Sequence, residues 1–252
     1  MSKSIGNVAD PIQAIDKYGL DVIRWYLTRI GGRWRSDVGE SMGLWSLVFQ
    51  IYPTIPDWSQ SQLEKHRHEI QSLLGNYFLR VTSPKLVERA LAAHPLSLDE
   101  IQEAQQGQFS KALIQLISLQ RDTAKKVGEK MQNLEVSEAL RHLVELMHLV
   151  CRSSTLITKC SINHEQANKT ITDIAPWKKS VPQDLVYATY TTGIETLRVL
   201  GICLQPFIPH SAQMLLDSLG LNPDGRLWCD AERSGEKKDV KPIGSVVGVR
   251  LF

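Results

Sequence analysis

Cysteine is scarce: four occur in 252 residues. Cys151, Cys160, Cys203 and Cys229 stand at spacings that match no paired metal-ligand pattern. That argues against a zinc module or a disulfide framework and fits a reducing compartment. No apolar run reaches the ~18 residues that would span a bilayer, and no signal or transit pattern opens the chain. Charge of one sign is not in excess either. The 29 Lys+Arg against 27 Asp+Glu leave +2, too little to infer nucleic-acid binding from net charge. The alternating strand–helix pattern of a nucleotide-binding domain is missing as well. What remains is an ordinary globular composition, 42% hydrophobic and 22% charged, long enough for one large core or two small ones.

What is present is helical periodicity. Asp10-Pro11 reads as a helix start, with Asp as N-cap, Pro in the first turn and Gln13 placed to reach back. Ile12 and Ile15 would form the apolar side of this helix, and Gly19 would end it. A second helix is expected from Asp21, with Val22, Tyr26 and Ile30 flanked by Ile23 and Leu27 as its stripe, stopped at Gly31-Gly32. Ser59-x-x-Gln62 resembles a capping box. It would open a long helix whose Leu63, Ile70, Leu73, Leu74, Tyr77 and Val81 share a face, ending at Pro84. Further helices are expected from Ser97-x-x-Glu100 through Leu113, Leu116, Ile117 and Gln120, from about Val136 through Leu140, Leu143, Val144 and Met147, and from Leu185 to Leu204. Pro206 and Pro209 follow, then a short helix from His210 to Leu219 closed by Gly220. A Gly-rich polar tail begins at Pro223, and Ser245 to Phe252 reads as a single strand. The fold class is all-α, a helical bundle.

Five features bear on chemistry. The opening run Met1-Ser2-Lys3-Ser4-Ile5-Gly6-Asn7-Val8 is a Ser/Gly loop carrying a lysine. Such a loop can hold an ammonium against a polyphosphate and stabilise charge on departing pyrophosphate; a disordered polar terminus is the plain alternative. Asn76 and Arg80 are i, i+4 neighbours at the edge of the Leu73/Tyr77/Val81 stripe. They would offer an amide and a guanidinium to base edges, or would simply be an exposed polar pair. Trp177 would be a flat surface for an unstacked base, or a core aromatic. Lys111, Arg121, Lys125, Lys126 and Lys130 outnumber Asp122 and Glu129 along one helix, and by themselves read as a solvated face. His210 beside Pro209 reads as a helix-start residue, since no Ser/Asp or metal partner pattern accompanies it.

Taken as a run, residues 1–8 resemble the Lys-Met-Ser-Lys-Ser signature of class I aminoacyl-tRNA synthetases, entered at its Met. Gly75-Asn76-Tyr77-Phe78-Leu79-Arg80 and Ala175-Pro176-Trp177 resemble the anticodon-reading helix and the downstream tryptophan element of the methionyl-tRNA synthetases. Tyr18 to Leu27, Asp57-Trp58-Ser59, Thr196-Leu197-Arg198, Leu204 to Pro209 and Val249 to Phe252 also resemble that family, most closely its fungal mitochondrial type.

The resemblance implies that Asn76, Arg80 and Trp177 bind a CAU anticodon, that Ser2, Lys3 and Ser4 contact ATP, and that Lys3 acts in catalysis. It implies tRNA(Met) as partner, ATP and Mg²⁺ as cofactors of the intact enzyme, a monomer away from membranes, and the mitochondrial matrix as location. It names no metal ligand in this chain. His-x-Gly-His, the family's other ATP signature, does not occur. The chain is therefore expected to lack most of the catalytic domain, which would also hold the methionine pocket, and to be inactive in catalysis by itself; the alternatives are a free-standing RNA-binding helical module and a nonfunctional remnant or helical scaffold.

The expected layout is a signature loop with linking helices over 1–36, a linker over 37–58, the anticodon-binding bundle over 59–222 and a tail over 223–252. Segments 39–56 and 150–166 interrupt the family pattern, and deleting each restores continuity. They read as translated introns or as loop insertions, which surface connections tolerate.

Overall fold

The structure is a computed structural model and describes residues 10–31, 60–92, 108–151 and 176–232. Their regular elements are helices, and no strand occurs among them. Ser2, Lys3, Ser4, segment 39–56, Ser59, Ser97-x-x-Glu100 and the strand expected at 245–252 lie outside the described residues, as does segment 150–166 after Cys151.

α1 (Pro11–Tyr18) starts as expected: the Asp10 carboxylate accepts from the Ile12 amide at 2.9 Å. Gly19 follows at φ +83, a backbone conformation in which an added Cβ would be strained. Its buried face is not the expected one. Ala14 and Tyr18 are buried, whereas Ile12 is 68% exposed. At ~100° per residue Ile12 lies on the opposite side from Ala14. In a two-turn helix the face that meets a neighbour is chosen by that neighbour, here α2 (Leu20–Gly31) and Leu63.

α2 buries Val22, Ile23 and Tyr26 as expected, but turns Leu27 to solvent and buries Trp25 completely. Trp25 and Leu27 are again two positions apart. The helix is gripped from a second side by the main core, which Trp25 enters.

α3 (Gln60–Ile70) passes through one π-helical turn, Gln71–Gly75, into α4 (Asn76–Val81). All six residues of the expected stripe, Leu63 through Val81, are buried. Thr82 and Ser83 break the helix, and Pro84 then begins α5 (Pro84–Leu91), which the sequence reading did not anticipate. Proline is disruptive inside a helix but suits its first turn, where its missing N–H is not needed.

α6 (Gln108–Gln132) and α7 (Val136–Cys151) form the most extensively packed pair. The turn between them passes through Leu134 at φ 60. α8 (Gln183–Leu204) is the central helix, buried on nearly every side from Val186 to Leu204. Its Thr196 hydroxyl donates to Gln120 at 3.0 Å or to the Thr192 carbonyl at 2.7 Å, which satisfies a group with no access to water. Cys203 is also enclosed, and loss of hydration pushes its thiol up to about 12.

α9 (Pro209–Ser218) closes at Gly220, φ +69. Helical structure continues beyond Pro223, where a polar tail was expected: a 3₁₀ turn at Pro223–Gly225 leads to α10 (Trp228–Glu232), which packs on α6 and α8. Arg198 holds it there by donating to the Asp230 carbonyl at 2.9 Å.

Two stretches singled out in the sequence, Tyr18 to Leu27 and Leu204 to Pro209, dock on one another. Arg24 donates to the carbonyls of Pro206 (2.6 Å) and Phe207 (3.3 Å). Asp21 accepts from the Ser211 amide at 2.6 Å and the Ser211 hydroxyl at 2.7 Å, capping α9 from another helix.

Candidate nucleic-acid interface

α4 follows directly on the π turn. The Asn76 amide donates to the Gln71 carbonyl, a step of five residues. Leu73, Leu74, Tyr77 and Phe78, at helical steps of one and four, are all buried, while Asn76 and Leu79 point outward and Arg80 is half-buried. Behind this face α4 lies close against α8. The Tyr77 hydroxyl donates to the Gly193 carbonyl at 3.4 Å, and a Cβ at Gly193 would stand 3.1 Å from both Val81 methyls.

Upstream, Glu69 is fixed by Arg29 at 2.7 Å, His66 at 3.1 Å and Trp25 at 3.4 Å. Burial works to raise its pKa, but the His66 hydrogen bond and the Arg29 charge outweigh that and hold it below the ordinary carboxylate value.

Trp177 is 43% exposed, so it is not the core aromatic that was the alternative. Pro176 before it is buried, and Lys178, Lys179 and Ser180 after it are exposed. Val181 packs on the main core, its amide donates to the Lys178 carbonyl at 3.2 Å, and one side chain reaches several carbonyls of this segment. The Arg89 guanidinium, on α5, donates to the carbonyl oxygens of Pro176, Lys178 (2.5 Å) and Val181 (3.1 Å). Gln183 returns a bond from its side chain to the Arg89 carbonyl at 2.8 Å. α4 and α5 are joined only by Thr82 and Ser83, so Arg89 ties the tryptophan to the element that follows Arg80 directly. Sequence reading missed Arg89 because an arginine aimed at distant backbone carbonyls leaves no local spacing.

Among the described residues no hydrogen bond or ion pair engages the Asn76 side-chain amide, the Arg80 guanidinium or the Trp177 indole. Asn76 thus offers a two-sided hydrogen-bonding group, Arg80 a planar fork of donors and Trp177 a flat ring, group types that can address unstacked bases.

Elsewhere the picture is plainer. Arg121, Lys125 and Lys126 are exposed on α6 together with Asp122 and Glu129, and Lys130 pairs with Glu135 at 2.5 Å. This is a solvated, mixed-charge face. His210 lines a cleft of ≈ 550 Å³ with Asp21 and Ser211. Asp21 bonds Ser211 directly, and His210 enters through its backbone amide at 3.4 Å. No imidazole lies between acid and hydroxyl, so the arrangement caps a helix and does not activate a nucleophile. No cluster of three metal-ligating side chains occurs among the described residues.

No protein-family model matches the chain. Individual proteins do. The probable mitochondrial methionine–tRNA ligase of Neurospora crassa is 29% identical over 233 residues, 90% of this chain and 32% of that protein. The methionine–tRNA ligase of Rickettsia felis is 29% identical over 235 residues, 90% of this chain and 36% of that protein. The chain is homologous to methionyl-tRNA synthetases. It spans about a third of the length of these curated relatives.

The Mycobacterium tuberculosis methionyl-tRNA synthetase bound by methionyl-adenylate superimposes with a TM-score of 0.67, covering 100% of this chain and 41% of the other, at 20% identity. At that identity the superposition speaks for the fold: the helical architecture here is the one found in part of a methionyl-tRNA synthetase.

Proposed function

We propose that this chain is the tRNA-binding part of a methionine–tRNA ligase, and that Asn76, Arg80 and Trp177 read a CAU anticodon. The observation that supports this most is the half-exposed Trp177. A large aromatic left in water on a segment fixed to the bundle is costly for stability alone and suits a stacking platform. In the motif that resembles the family's anticodon helix Asn76 is exposed and Arg80 half-buried, and the relatives named above are methionine–tRNA ligases.

In the intact enzyme, ATP with Mg²⁺ activates methionine, and tRNA(Met) receives it. Ser2, Lys3 and Ser4 are proposed to contact ATP on sequence resemblance alone. The mitochondrial relative favours a role in mitochondrial translation, in the matrix. The chain by itself is proposed not to form methionyl-adenylate, and methionine-dependent ATP–pyrophosphate exchange by the purified chain would disprove that. Within a full-length enzyme, Lys3→Ala should slow adenylate formation and leave tRNA binding unchanged, because a charge used mainly in the transition state affects rate.

The test of the anticodon reading is binding of matched tRNAs that differ only in the anticodon, at two salt concentrations. Trp177→Ala should weaken CAU binding by about 1–3 kcal/mol, the worth of one base–aromatic stack. Arg80→Ala and Asn76→Ala should reduce discrimination between anticodons, since these groups address base edges. Lys125→Ala should weaken both tRNAs alike and flatten the salt dependence, as a phosphate contact does. A folded Trp177→Ala chain that binds both tRNAs as the parent does would refute the reading.

A further inference from the structure

We infer that Arg89 is a positioning residue for anticodon discrimination: its guanidinium aims the Trp177 platform and itself touches no nucleotide. The inference rests on the reading of Trp177 as a stacking surface. Trp177 sits on a non-helical stretch between residue 176 and the start of α8 at Gln183. Within it the Val181 amide donates to the Lys178 carbonyl at 3.2 Å, a single turn bond and not a helical ladder. Three of its carbonyls, at Pro176, Lys178 and Val181, converge on the one Arg89 side chain. They bracket Trp177 on both sides.

A guanidinium has five donors in a rigid plane, so it fixes several carbonyls in one set geometry, whereas the three donors of an ammonium rotate on a flexible stem. The base of the clamp is equally fixed. α5 buries Leu86 and Ala90 against the core, and the Gln183 side chain bonds the Arg89 carbonyl at 2.8 Å. The ring is therefore held in its half-exposed position before any ligand arrives, and a base that stacks on it need not order the segment first. Removing the clamp leaves the indole present but lets it collapse onto the bundle or swing away, and ordering it again reduces affinity. This effect belongs to the stack, so it should appear only while Trp177 is there.

The experiment is a double-mutant cycle on the 252-residue chain with Arg89→Ala, Trp177→Ala and the pair. CAU tRNA and its anticodon-altered counterpart are titrated, and each variant is checked by far-ultraviolet circular dichroism. Arg89→Ala should weaken CAU binding by roughly tenfold, within the range of one stack. In the Trp177→Ala background the same substitution should change affinity by less than about twofold, because two residues acting through one contact are not additive. Arg89→Lys, which keeps the charge but not the fork, should lie close to Arg89→Ala.

Equal effects of Arg89→Ala with and without Trp177 overturn the inference and mark Arg89 as an independent RNA contact. Full rescue by Arg89→Lys overturns it as well, since charge would then suffice. Loss of fold in both Arg89 variants overturns it too, because the clamp would be holding the bundle. If Trp177→Ala itself leaves CAU binding unchanged, it is the anticodon reading that fails. An Arg89→Ala effect that persists alongside a real Trp177→Ala effect defeats only the positioning role.

Discussion

Removing the Asp21 carboxylate tests how two distant stretches of the chain are joined. Asp21 is buried and accepts from the Ser211 amide at 2.6 Å, the Ser211 hydroxyl at 2.7 Å and, more weakly, the His210 amide at 3.4 Å. These amides lie in the first turn of α9, whose own N-cap residue, Ile208, has no side-chain acceptor. Losing a cap costs about 1 kcal/mol. A Ser211 hydroxyl left buried without its acceptor adds about 1–3 kcal/mol, and loss of a negative charge at the helix N-terminus adds about 0.3–1 kcal/mol. Relief of the carboxylate's own burial opposes these. Asp21→Ala should therefore destabilise the chain by about 2–4 kcal/mol.

Asp21→Asn, with one acceptor of the same shape, should cost less, and Ser211→Ala about 1 kcal/mol. The double mutant should lose less than the sum, because the two share a bond. Urea unfolding followed by far-ultraviolet circular dichroism reads these values as midpoint shifts at constant slope. An Asp21→Ala chain within about 0.5 kcal/mol of its parent, the range of an ordinary surface change, would refute the reasoning.

Four other outcomes are expected. The folded-state pKa of Glu69 is depressed below the usual 4.5, so its contribution to stability is complete above that value and is lost as pH falls through the folded pKa. Glu69→Gln should flatten the acid limb of the stability curve, and an unchanged limb would contradict this. Gly193→Ala should push α4 away from α8 at Val81 and cost about 1–3 kcal/mol, with weaker anticodon discrimination in the tRNA titration. Leu134→Gly should stabilise the chain by about 1 kcal/mol, since Leu134 is 84% exposed at φ 60 and gives up little packing; thermal unfolding measures it. Cys203 should resist alkylation in the folded chain while exposed Cys229 reacts, which mass spectrometry of labelled peptides reads directly.

The local elements were readable from sequence because their causes are local. The Asp10 cap, the termini at Gly19 and Gly220, and the apolar spacing of Leu63 to Val81 and Leu140 to Met147 depend on residues within a few positions of one another. Asn76 and Arg80 were legible for the same reason, as neighbours at the edge of an apolar stripe. Choices between faces were not. Whether α1 buries Ile12 or Tyr18, and whether α2 buries Leu27 or Trp25, depends on which neighbours surround each helix, and periodicity counts apolar positions without saying what lies opposite. The π turn over Gln71–Gly75 was not legible either, since no local spacing marks it. The exposure of Trp177 and its clamp depend on an arginine 87 residues from the first carbonyl it holds. A hydrogen bond across that separation is decided by how α5 packs on α8, so only the assembled bundle reveals it.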